Sequence, residues 1–152
     1  MYKTLVVPLD GSKLAECVLP HVETLAKGCH VENIIFLRMV EPFTRVAGEA
    51  FSQEQIKRIN SEMISEAEGY LQVLLEGLRY NGVKTKSEVI VGRPAEGIAE
   101  YATKANADLI IIATHGHSGL SRWVWGSVAD RTLRSSCVPV LMVRAPGCIP
   151  GF

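Results

Sequence analysis

Residues 109–131 read LIIIATHGHSGLSRWVWGSVADR. Asp108–Thr114 reads as a strand, its apolar run of Leu and Ile the pattern of one covered on both faces. Glycines at 116, 119 and 126 then punctuate a loop, and Gly126-Ser127 opens an amphipathic segment that reads as a helix to about Ser135. Strand, glycine loop and helix N-terminus in succession place unpaired backbone N–H groups and the positive end of a helix dipole where a phosphate can sit.

Working outward, the rest of the chain alternates in the same way. Lys3–Leu9 is a buried-type strand closed by Asp10-Gly11-Ser12, with Ser12 placed to cap a helix. Leu14, Val18, Val22 and Leu25 recur at helical spacing, and Gly28 is the expected stop. Glu32–Val40 is a second apolar strand, and residues 42–50 form a loop without pattern. Ser52 and Gln55 make a capping box, with Phe51 and Ile56 as its hydrophobic staple. The stripe Ile56, Ile59, Met63, Ala67, Tyr70, Leu71, Leu74, Leu78 predicts the longest helix, running to Asn81-Gly82. Lys84–Val91 is a strand whose polar first half suits a sheet edge. Pro94 opens a helix to about Asn106. Val138–Val143 closes the series, and Pro139 confines it to an edge. Five strands alternating with four helices predict a doubly wound α/β fold, a parallel sheet with helices on both faces. Ligands of such sheets bind outside the strand carboxyl ends.

The 152 residues suffice for one domain with its own core, expected over 1–144 with a tail at 145–152. Apolar residues make up 47% and charged residues 21%, which excludes disorder. Sixteen basic and sixteen acidic residues balance, so nothing advertises nucleic acid or an anionic membrane. The opening MYKTLVVPLDGS is too short and too acidic for a secretory leader, and a cytoplasmic location is expected. Cys17, Cys29, Cys137 and Cys148 show no metal or redox spacing and read as reduced thiols. His115-x-His117 lacks a third ligand for a metal.

The opening strand with Pro-x-Asp-Gly-Ser, the long second helix, the strand ending in Thr-His-Gly and the closing Val-Pro-Val-x-x-Val together resemble the universal stress protein family. The resemblance covers nearly the whole chain. The family's ATP-binding branch carries Gly, two residues, Gly, nine residues, then Gly with Ser or Thr, and these positions fall here on Ala113, Gly116, Gly126 and Ser127. Only the first departs from the pattern.

The resemblance implies strand order 3-2-1-4-5, the adenine nucleotide alpha hydrolase-like arrangement, and a homodimer paired through the last strand, Val138–Val143. It implies ATP, or ADP or AMP, as ligand, with magnesium or manganese held by the phosphates. Pro8, Leu9 and Asp10 would flank the ribose and adenine, and Val40 would offer a backbone contact to the base. Ile112 and Ala113 would lie against base and ribose. His115 and His117 border the loop, while Gly116, Gly126, Ser127, Val128 and Ala129 would hold the phosphates. Arg122 and Arg131 are further candidates for the phosphates, and Trp123 and Trp125 for loop packing or a partner surface. A nucleotide-binding stress-response regulator is the expected role, with an unknown protein partner. A slow ATPase and a dimeric scaffold without nucleotide are the alternatives. No Walker lysine follows Gly126, and no catalytic residue is assigned.

Overall fold

The computed structural model describes residues 2–44, 51–114 and 127–144. Its elements are β1 (Thr4–Pro8), a 3-10 turn (Ala15–Val18), α1 (Leu19–Gly28), β2 (Asn33–Val40), α2 (Gln53–Gly77), β3 (Lys84–Val91), α3 (Pro94–Lys104), β4 (Leu109–Ala113), α4 (Ser127–Ser135) and β5 (Val140–Val143). All strand pairs are parallel, and the sheet order is β3-β2-β1-β4-β5.

Side chains alternate across the sheet, so each central strand feeds two cores. Leu5, Val7, Ile34, Phe36, Leu109 and Ile111 meet Val18 and Val22 near the first helix and Leu71 of α2. Val6, Ile35, Leu37, Ile110 and Ile112 meet Ile98 and Ala102 of α3 and Ala129 of α4. Continuous apolar runs were needed because both faces are covered.

The two sheet edges differ in chemistry. Lys84, Lys86 and Ser87 on β3 are exposed, and Lys86 pairs with Glu88 at 2.9 Å. A charged edge resists pairing with another strand. On β5, Val140 and Met142 are half-buried and Leu141 is exposed.

Several boundaries depart from the sequence reading. The Ser12 hydroxyl does accept from the Ala15 N–H at 3.1 Å, but the segment it starts is a 3-10 turn, and the α-helix begins only at Leu19. Pro20, in the first turn of α1, has no N–H to donate backwards, so the helix cannot run through it unbroken. Gly28 is the last helical residue rather than the left-handed stop; His30 takes that conformation, at φ 51°. The second helix ends at Gly77, not Asn81-Gly82, because Leu78 is extended and Leu78 and Tyr80 turn into the core; Gly82 makes the turn instead, at φ 78°. The last strand starts two residues late, at Val140, since Pro139 cannot donate, though its carbonyl accepts from Ile110.

The capping box is present as read: Gln55 N–H donates to Ser52 Oγ, and Ser52 N–H to the Gln55 side chain. Phe51 packs edge-on against Phe43, with centroids 5.3 Å apart. The first half of α2 contains no fully buried residue; burial starts at Ala67. A helix of 25 residues spans about 37 Å, against about 26 Å for the eight residues of β2, so its start overhangs the strand carboxyl ends.

One carboxylate ties the opposite, amino-terminal edge together. Asp108, just before β4, accepts from the Lys3 and Thr4 N–H groups at 2.8 Å each. Bonds to an ionised acceptor are the stronger kind. Replacing it, Asp108→Ala, is expected to destabilise the fold by about 2–3 kcal/mol in urea unfolding. A loss under about 0.5 kcal/mol would show that β1 and β4 are held by their ladder and packing without the carboxylate.

Candidate functional site at the parting of the first and fourth strands

Strand order reverses at β1: the chain goes to β2 on one side, then crosses to β4 on the other. A crevice at such a point needs the two central strands to separate, and Pro8 supplies the cause. Leu9 N–H donates to Leu37 O at 2.9 Å, so Leu9 faces β2 and its neighbour Pro8 faces β4. A residue there would give its N–H to β4, and proline has none. The β1–β4 register accordingly covers only Leu5↔Leu109 and Val6↔Ile110, whereas the β1–β2 register runs on to Pro8↔Leu37.

β2 continues beyond β1. Its last pairs, Met39↔Ile90 and Val40↔Val91, are with β3 alone. Val40 O accepts from Gly92 N–H at 2.9 Å, so the Val40 peptide is turned toward β3. By the same alternation the Met39 peptide faces the β1 side, past the end of that strand. The Met39 side chain points the other way, onto α3, where a β-carbon on Gly97 would overlap its Cε.

On the other wall, Ile112 and Ala113 end β4, paired with Met142 and Val143 of β5. Ala113 is extended and only 8% exposed, and its methyl lies in the core on the α1 side with Leu9 and Val18. It takes no left-handed backbone that would call for glycine. Thr114 N–H donates to Val143 O, prolonging the β4–β5 pairing.

The turn after β1 is tightly specified. Asp10 Oδ1 accepts from the Ser12 N–H at 2.9 Å and the Ser12 hydroxyl at 2.6 Å. Gly11 has φ 84°, and a β-carbon there would overlap Arg38 Nη1. Arg38 in turn lies 5.6 Å from the centroid of the Tyr70 ring. Burial first, and then the Glu16 carboxylate beside it, hold the Tyr70 hydroxyl well above its ordinary pKa. Tyr70 therefore stays protonated and donates to Glu16 at 3.2 Å. The sequence reading left Arg38 out of the site. Its signal was a lone charge inside the apolar run IIFLRMV.

α4 runs back from the carboxyl edge, so its first residues belong to that edge by topology. Ser127 and Val128 are exposed there and Ala129 is buried. Asp130 accepts from Arg134 Nε at 2.9 Å, and Arg131 is paired with Glu96 of α3. His115, Gly116, His117, Gly126, Arg122, Trp123 and Trp125 lie outside the described residues. Among the described residues, no group of three His, Cys, Asp or Glu is placed to hold a metal ion.

A groove between α2 and β3 lies away from this edge. Glu68, Glu76 and Glu88 face a single Arg79 there, a poor setting for phosphate.

If Pro8 sets the parting, Pro8→Ala should let the ladder close by one more bond. The amide at position 8 is then expected to be protected from hydrogen exchange, with little change in stability. A freely exchanging amide at that position would show that another feature parts the strands.

Comparison with known proteins agrees with this architecture. Residues 1–144 match the model of the universal stress protein family. The universal stress protein MJ0531 of Methanocaldococcus jannaschii is 36% identical over 147 residues, covering 96% of this chain and 84% of that protein. The solved structure of MJ0577, from the same organism, superposes with a TM-score of 0.83 at 29% identity, covering 97% and 99% of the two chains. A universal stress protein family protein of Arabidopsis thaliana, At3g01520, solved with AMP bound, shares the fold at 14% identity, with a TM-score of 0.63 and coverage of 95% and 93%. No helix among the described residues is long and apolar enough to cross a membrane. The sheet order, the matched span and these relatives place the chain in the universal stress protein family.

Proposed function

We propose that this chain is a nucleotide-binding regulator of the stress response, and that its ligand is ATP or a related adenine nucleotide. The observation that carries the reading is the end of the β1–β4 pairing at Val6↔Ile110, at the reversal of strand order, with the start of α4 at the same edge. Asp10, between Leu9 and the Gly11 turn, is the polar group for the ribose. The base edge is read by backbone. Because the Val40 carbonyl is taken by Gly92, that role passes to Met39 in this proposal. Ile112 and Ala113 form the apolar wall.

The phosphates lie over the first turn of α4, where Ser127, Val128 and Ala129 present backbone N–H groups, with Gly116 and Gly126 completing the loop. His115 and His117 flank it, and His117 offers a pH-sensitive charge. Magnesium or manganese would be held by the phosphates and would neutralise their charge. The AMP complex of the Arabidopsis relative supports an adenine ligand on this fold.

Two copies pair through Val140–Val143, the edge without charged side chains, and occupancy of the nucleotide site is the signal read by a partner protein. Regulation is favoured over turnover because Asp10, an acidic side chain at the crevice, is engaged by Ser12.

Titration calorimetry with ATP and magnesium tests this reading. The native protein is expected to bind in the micromolar range, and Asp10→Ala to weaken binding about tenfold, the loss of one or two hydrogen bonds. Ala113→Gly should change affinity less than tenfold, because the methyl it removes is buried on the α1 side. Absence of binding in the native protein and the glycine variant alike would leave the dimeric scaffold as the better reading. Binding only after Ala113→Gly would mark a family member that has lost its nucleotide.

A further inference from the structure

Arg38 ends in an unusual setting. It stands near the carboxyl end of β2, half-buried, between the Gly11 backbone and the Tyr70 ring. Its Nε and Nη1 are shut off from solvent and meet no hydrogen-bond acceptor. Of the carboxylates on that side, Glu16 is engaged by Lys13 at 2.8 Å and by the Tyr70 hydroxyl, and Asp10 is engaged by Ser12. A guanidinium covered in this way is unfavourable: its Nε and Nη1 hydrogens meet no hydrogen-bond acceptor, and the Tyr70 ring offsets only part of that. The turn above is shaped to accept it, since the position over Nη1 is held by a glycine at φ 84°. An arginine accommodated at this cost, beside the crevice, calls for a return that its contacts within the chain do not supply.

We propose that Arg38 is a ligand-binding residue held in reserve: it swings from beneath the Asp10-Gly11-Ser12 turn to donate Nε and Nη1 hydrogens to a phosphate oxyanion of the bound nucleotide. The inference rests on the nucleotide reading above and deepens it, adding a cation from β2 to a site otherwise built from β1, β4 and α4. The planar fork of arginine matches two phosphate oxygens at once. The oxyanion can come from the 5′ chain or from a phosphate on the ribose ring. Arg38 then has two states whose balance the ligand shifts, each with its own partners: the Tyr70 ring without ligand, phosphate with it.

The test is Arg38→Met, which keeps the stem and removes the charged fork. Melting temperature without ligand and affinity for ATP, 5′-AMP, 3′-AMP and adenosine are measured on the full chain, beside the native protein and Arg38→Lys. The proposal expects the methionine variant to melt at the native temperature or above. It also expects at least a tenfold loss of affinity for one phosphate-bearing ligand, no change for adenosine, and partial rescue by lysine. Loss confined to 3′-AMP assigns the ribose phosphate; loss for ATP and 5′-AMP assigns the 5′ chain. A lower melting temperature with unchanged affinities would overturn the proposal and make Arg38 a structural residue. Equal losses for adenosine and the nucleotides would overturn it too, showing that Arg38 only positions Asp10. A native protein that binds none of the four ligands defeats the nucleotide reading itself, whereas native binding untouched by Arg38→Met defeats this inference alone.

Discussion

A missing hydrogen-bond donor organises the site. Pro8 faces β4 without an N–H, and the β1–β4 register stops at Val6↔Ile110. A parallel sheet gains from continuing its ladders, so two central strands part only where the ladder cannot be extended at low cost. Everything proposed for the carboxyl edge follows from that parting. β2 overruns β1 and turns a peptide toward that side, the Asp10-Gly11-Ser12 turn follows β1, and α4 starts at the same edge by topology. The amino-terminal edge shows the opposite treatment: Asp108 binds two N–H groups of the Lys3-Thr4 segment and holds β1 and β4 together. The sheet is pinned at one end and open at the other.

Much of this architecture was legible from local pattern. Apolar runs without alternation identified strands buried on both faces, and the polar start of β3 and Pro139 before β5 identified the edges. What escaped was decided by geometry beyond the local pattern. Pro20 in the first turn of α1 split one helical stripe into a 3-10 turn and a helix, although Ser12 caps its neighbour as its identity suggests. Leu78 continues the apolar spacing of α2, yet it is extended and packs against the core with Tyr80, and spacing alone does not reveal this. Peptide direction along β2 is likewise invisible in sequence: whether Met39 or Val40 faces the crevice depends on a register fixed by Leu9 and Gly92.

The candidate site was legible in part. Asp10, Ile112, Ala113 and the start of α4 come to one edge of one sheet from segments about a hundred residues apart. Ala113 sits on an extended strand with its methyl in the core, in a backbone conformation that does not call for glycine. Arg38 escaped the reading because a lone charge in an apolar strand is easily passed over. Its meaning comes from contacts with Gly11 and Tyr70, brought from β1's turn and the middle of α2.

Amide chemical shifts recorded by NMR as ATP and magnesium are added test the central claim most directly, because they locate the ligand without assuming a site. The account predicts the largest changes at Leu9–Ser12, Met39–Val40, Ala113–Thr114 and Ser127–Ala129, all at the carboxyl edge. Changes concentrated instead on α2 and β3, around Glu76, Arg79 and Glu88, would contradict it.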